Sequence, residues 1–133
     1  MKRNILTLIL ICIIGTAAFA QNIIEPELQE FMKQKNDEKI SVNIIFKSQL
    51  DVKELRTNSN NYSDKETKRQ AVIKEFKDFS EASQQEVVSF IKSQESKGEV
   101  TDMVCHWLSN SITCTTTKDV IEALSKRDDI LLI

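Results

Sequence analysis

VTDMVCHWLSNSITCT, residues 100–115, is the stretch on which the fold turns. Two runs rich in β-branched residues flank Ser109 and Asn110, and asparagine tolerates the positive φ that a two-residue hairpin requires. The spacing predicts a strand over 100–108, a tight turn at Ser109-Asn110 and an antiparallel strand over 111–115. With that turn, Trp107 lies opposite Ile112, and Cys105 lies opposite Cys114. Trp107 and Ile112 then pack as core, whereas His106, Leu108, Thr113 and Thr115 occupy the other face. Counted outward from the turn, Cys105 and Cys114 form a non-hydrogen-bonded pair with Cα atoms about 4.5 Å apart, within reach of a disulfide. A cross-strand disulfide is therefore expected in an exported chain, with two buried free thiols as the alternative.

Outward from the hairpin, both flanks read as helix followed or preceded by strand. Upstream, residues 64–96 contain neither Pro nor Gly, Ser63 or Asp64 can cap their start, and Gly98 is a stop. Val72, Phe76, Phe79, Ser83, Val87, Phe90 and Ile91 advance by three or four and form one stripe, with charges on the opposite side. Before that helix, Ile40, Val42, Ile44 and Phe46 alternate with Ser41, Asn43 and Ile45, the period of a strand. Residues 47–63 read as a connection, with a helical turn near 51–56 and a polar loop at 58–61. Downstream, Thr116 or Thr117 caps a short helix that turns Val120, Ile121 and Leu124 inward. Lys126 and Arg127 suit its C-terminal end, and residues 130–133 form a last strand. The order β-α-β-β-α-β specifies an α+β, ferredoxin-like domain: a four-stranded antiparallel sheet with two helices on one face. The other face is expected to lack cover.

The first twenty residues stand apart from this domain. Lys2 and Arg3 precede an apolar run over 5–14, and Ala18-Phe19-Ala20 is a small-x-small cleavage site, so residues 1–20 read as a signal peptide with Gln21 as mature N-terminus. Cys12 is not a lipoprotein cysteine, because it lies within the apolar run behind bulky Ile11. The run is short for a membrane span and no second one follows, so the expected location is secreted or periplasmic, without membrane attachment after cleavage. Residues 21–39 are a lead-in: Pro26 suits a first helical turn, and Leu28, Phe31 and Met32 share a side. The domain proper is expected over 40–133.

The formal net charge of −2 becomes −4 when Lys2 and Arg3 leave with the leader, a balance that argues against nucleic acid as partner. Two glycines leave no room for a Gly-rich phosphate loop, and no cofactor or small-molecule ligand is expected. His106 is the single histidine and no Gly-x-Ser-x-Gly elbow occurs, so no catalytic residues are assigned and an enzyme is not expected. Cys105, His106 and Cys114 supply at most three ligands, and neighbours on a strand point to opposite faces, which argues against a metal.

Four segments resemble the propeptide and inhibitor domain of subtilisin-like serine proteases. SVNIIFKSQLD (residues 41–51) is similar to its first strand and turn, and AVIKEFKDFSEASQQ (71–85) to its first helix, including the Ser-Gln at 83–84. WLSNSITC (107–114) resembles its hairpin, and DVIEALSKRDDI (119–130) its second helix and entry to the last strand. The likeness covers about residues 40–133 and rests on four pieces in order. It implies a protease-binding domain, inhibitor or intramolecular chaperone, that docks its bare sheet face (here His106, Leu108, Thr113 and Thr115) on the protease. It also implies that the segment after the last strand enters the protease cleft; Leu131, Leu132 and Ile133 are the residues available for that role, unless they are core. The family's cleft-filling tail has no counterpart here, which implies a weak inhibitor. Two alternatives stay open: a non-inhibitory remnant of a protease precursor, and an exported ferredoxin-like interaction domain with another partner. When the protein is exported with its own leader, N-terminal sequencing should read from Gln21; a chain still beginning at Met1 would refute the cleavage site.

Overall fold

A computed structural model describes residues 23–34, 38–59 and 62–133. The expected cleavage site at Ala20 and Gln21 lies outside the described residues. Along the chain run α1 (Pro26–Gln34), β1 (Ile40–Phe46), α2 (Val52–Ser59), α3 (Lys65–Glu95), β2 (Val100–His106), β3 (Ser111–Thr116), α4 (Lys118–Leu124) and β4 (Ile130–Leu132). The strands form one sheet in the order β2-β3-β1-β4, with every neighbouring pair antiparallel. This is the expected α+β class and approximates the ferredoxin-like arrangement. The departures are α1 and α2, a last strand of three residues, and breaks of register in β2 and between β1 and β4.

Local signals explain most of the boundaries. Asp64 caps α3 by accepting from the Thr67 N–H at 2.8 Å, which also holds its carboxyl below the usual range. At the other end Gly98, at φ +78, lets Gly98 N–H reach Glu95 O and Glu99 N–H reach Gln94 O, the paired bonds that close a helix on a left-handed glycine. Alternation in β1 is kept: Ile40, Val42, Ile44 and Phe46 are buried, and Ser41 and Asn43 are exposed. With Val87, Ile91, Ile112, Val120, Ile121, Leu124 and Ile130 they form one core. Thr117 takes the N-cap position of α4, but its hydroxyl caps nothing, and the Thr116 hydroxyl instead donates to Glu99 O at 3.3 Å.

The hairpin differs from its expected form. His106 pairs with Ser111, Cys105 with Ile112 and Val104 with Thr113, so the connection is the four residues Trp107 to Asn110. The cause is Asn110. It is 2% exposed, at φ +42, and its side chain turns inward rather than to solvent. Its Oδ1 accepts from Ser83 Oγ and from Gln84 Nε2, each at 2.9 Å. Its Nδ2 donates to Ser48 O at 2.7 Å, and its own carbonyl accepts from Phe46 N–H at 3.3 Å. One amide thus ties α3, the end of β1 and the hairpin together. Trp107, expected in the core opposite Ile112, is carried into the turn and left 37% exposed. There it meets Phe76 edge-on at 6.3 Å, beneath the Lys77 ammonium.

The stripe on α3 is also rotated from its expected place. Ser80, Gln84, Val87 and Ile91 are the buried line, while Val72, Phe76, Phe79, Ser83 and Phe90 are half-buried. Length explains this: 31 residues span about 46 Å at the helical rise, whereas a seven-residue strand such as β2 spans about 24 Å. The N-terminal part of α3 extends past the sheet; α2 contacts this helix, and Phe76 meets Trp107 of the turn.

Two further segments do more than the sequence suggests. α2 extends the expected helical turn to eight residues, with Asp51 Oδ1 accepting from Lys53 N–H at 2.7 Å and Leu55 docking at 4% exposure. The lead-in is not peripheral: Ile24 and Met32 belong to the core, with Ile23 and Leu28 packed against it. Ile133 N–H donates to Ile23 O at 2.8 Å, and Glu25 N–H donates to Ile133 O at 3.0 Å, the bonding of a short parallel bridge. Replacing Asn110 with alanine leaves Ser83 and Gln84 only their long 3.4 Å bonds to Ser80 O and His106 O and removes the donor to Ser48 O, and should lower stability by about 2–4 kcal/mol, against about 1 kcal/mol for Ser83→Ala. Urea denaturation measures both; an Asn110→Ala midpoint equal to wild type would contradict the role given to this amide.

Candidate docking face

The register sets the outer face of the sheet in three transverse rows. His106, Ser111, Ile45 and Leu132 cross all four strands; Val104, Thr113 and Asn43 form the next row; Thr101, Thr115 and Ser41 form the third. Val104 is 51% exposed, Thr101, Asn43 and Ser41 are exposed, and His106, Thr113, Thr115, Ile45 and Leu132 are half-buried. Only Ser111 is buried, with its hydroxyl 2.9 Å from that of Ser109. The His106 ring is fixed on the face by Nε2, 3.0 Å from Thr113 Oγ1.

None of these ten positions carries Asp, Glu, Lys or Arg, in a chain with 29% of those residues. Asp102 marks the margin. Two residues, Asp102 and Met103, fall between the paired Thr101 and Val104, and Asp102 takes φ +57, so β2 is bulged there. The bulge brings Thr101 back to the face that Val104 and His106 share with Thr113. Charge depletion with β-branched and short polar side chains gives a flat surface that loses little free energy on leaving water, because no ion must be stripped of its hydration.

Of the face residues read from the sequence, His106, Thr113 and Thr115 are brought together. Leu108 is not on a strand: the longer turn places it at the hairpin tip, 66% exposed, beside the face rather than in it. Val104, Asn43, Ser41, Thr101 and Ile45 complete the surface. The alternation in β1 carried the signal for three of them and that from His106 back to Val104 for a fourth, while Thr101 was hidden by the bulge. The C-terminal residues divide. Leu132 lies in the first row and Leu131 is 43% exposed, but Ile133 is 5% exposed and bonded through both main-chain groups, so it is core and not a free tail.

The expected cysteine pairing does not form. The two-residue change in register puts Cys105 opposite Ile112, and both thiols are free, Cys105 exposed and Cys114 buried. Burial pushes the Cys114 thiol up to about 11. It also raises Cys105, against a smaller downward pull from Lys92. Among the described residues no group of three or more His, Cys, Asp or Glu is placed to hold a metal ion, and no helix is long and apolar enough to cross a membrane. Comparison of the chain with family models, with curated proteins and with solved structures gave no match.

The buried thiol has a consequence for pH dependence. An acid whose folded-state pKa is raised releases its proton earlier in the unfolded chain, so stability is unaffected below the unfolded value, near 9, and falls as pH rises toward about 11. Melting temperature measured from pH 8 to 11 should decline less steeply in Cys114→Ala than in wild type. In native labelling with iodoacetamide, Cys105 should react and Cys114 should not; equal rates would contradict the placement of Cys114.

Proposed function

We propose that this protein is a non-catalytic docking domain whose outer sheet face binds a subtilisin-like serine protease, as the resemblance over residues 40–133 implies. The observation that carries the reading is the face without acidic or basic side chains: ten contiguous strand positions free of Asp, Glu, Lys and Arg, all but Ser111 reachable by solvent. A sheet of this kind meets a partner by shape and by side-chain hydroxyl groups, with His106, Leu132 and Ile45 as its largest members and Val104 the most exposed apolar one. The α+β fold supports the reading further, since it supplies the rigid platform that a propeptide presents. The turn, with Ser83 and Gln84 held to Asn110, fixes the hairpin that bears six of the ten face positions.

The partner class follows from the resemblance, and binding through the sheet alone accounts for a modest inhibitor or folding aid. The test is titration of the purified protein into secreted subtilisin-like proteases, reading peptide hydrolysis and complex formation by gel filtration. A complex is expected. Val104→Glu and Thr113→Lys, which place ions in the middle of the face, should weaken it about tenfold or more while leaving circular dichroism unchanged. Failure to bind or slow any such protease at tens of micromolar, with the fold intact, would sink the proposal. So would full retention of binding in both variants.

A further inference from the structure

On the helical side of the molecule, away from the outer sheet face, a groove of about 690 Å³ runs between α3 and the β2 edge, lined in part by Glu81, Gln85, Val88, Lys92, Cys105 and Trp107. β2 is an edge strand of the sheet, with no strand beyond it among the described residues. Its bulge at Asp102 turns the edge away from simple strand addition, a common device against edge-to-edge pairing. A helix, rather than a strand, is the element that such a groove admits.

The charges along α3 say which helix. Glu81, Gln85, Val88 and Lys92 lie at spacings of four, three and four, and eleven residues are three turns plus about 20°, so all four share one stripe about 16 Å long. Neighbouring charges are engaged: Asp78 by Lys74, Glu86 by Arg127, and Lys77 over the Trp107 ring. Glu81 and Lys92 have no ion-pair partner among the described residues. The stripe is thus acidic at one end, basic at the other and neutral between. A surface with that pattern is complementary to itself when turned end for end, the requirement of an isologous two-fold interface.

We propose that a second copy of this chain fills the groove, its α3 antiparallel to the first across a two-fold axis near Glu86 and Val87. Glu81 of each copy meets Lys92 of the other, and Gln85 meets Val88. Cys105, on the floor of the groove, is covered in the dimer. The outer sheet face stays free, so this association and protease binding stand or fall separately.

Sedimentation of the purified protein over a range of concentrations is the test. A concentration-dependent doubling of mass is expected. Lys92→Glu and Glu81→Lys each turn two attractive contacts into repulsive ones and should raise the dimer Kd about tenfold or more. The double variant Glu81→Lys/Lys92→Glu restores the complementarity and should return Kd toward wild type. Labelling of Cys105 should slow as the dimer forms, with the Glu81→Lys protein, whose substitution leaves the Lys92 charge beside Cys105 in place, labelled at the monomer rate throughout. All three variants change exposed side chains, and circular dichroism checks their fold. A wild-type protein that stays monomeric at every concentration overturns the proposal. Single variants that dimerise like wild type, or a double variant as weak as the singles, overturn it equally.

Discussion

The side-chain amide of Asn110 is the contact on which this domain is organised. A buried carboxamide needs partners for both ends, since an unmade hydrogen bond away from water costs more than a made one contributes. Here Oδ1 takes two donors from consecutive residues of α3, and Nδ2 finds the carbonyl of Ser48 after β1. The directionality of these bonds fixes the rotation of α3 about its own axis, which apolar packing alone leaves loose. Gln84 and Ser80 consequently occupy the buried line where a purely hydrophobic stripe would have put phenylalanine.

That rotation propagates to the surfaces. With Ser80, Gln84, Val87 and Ile91 turned to the sheet, Glu81, Val88 and Lys92 are turned to the β2 edge. With Asn110 drawn inward, the hairpin gains two residues in its turn, and the register that follows sets which side chains share the outer face. Val104 and His106 stand beside Thr113 because of the longer turn, and Thr101 joins them because of the bulge at Asp102. Both surfaces are therefore downstream of one polar cluster rather than independent features of the chain.

The fold was legible where it depends on local patterns. Alternation marked β1, an aspartate before a Pro-free run marked the start of α3, and Gly98 marked its end. What the sequence concealed is polar and long-range. Ser109-Asn110 has the composition of an exposed two-residue turn, and nothing adjacent reveals that Asn110 is buried 27 positions away from its partner Ser83. The two-residue change of register moved Trp107 and Leu108 out of their expected places and separated Cys105 from Cys114. His106, Thr113 and Thr115 kept their face because a shift of two preserves the alternation of a strand. The helix of the lead-in was legible from Pro26 and the shared side of Leu28 and Met32, but its place in the core was not, because the partners of Ile24 and Met32 are distant in sequence.

That last feature bears on how the molecule is made. Ile23 and Glu25 are joined to Ile133, so the earliest described residues are completed by the latest. A chain emerging from the ribosome can form the β2–β3 hairpin early, because its contacts are close in sequence. It cannot pair β1 with β4 until residues 130–132 have been made, and loop-closure entropy delays such distant contacts further. Closure of the domain thus waits on β4, whose arrival is what lets Ile23 and Glu25 bond to Ile133.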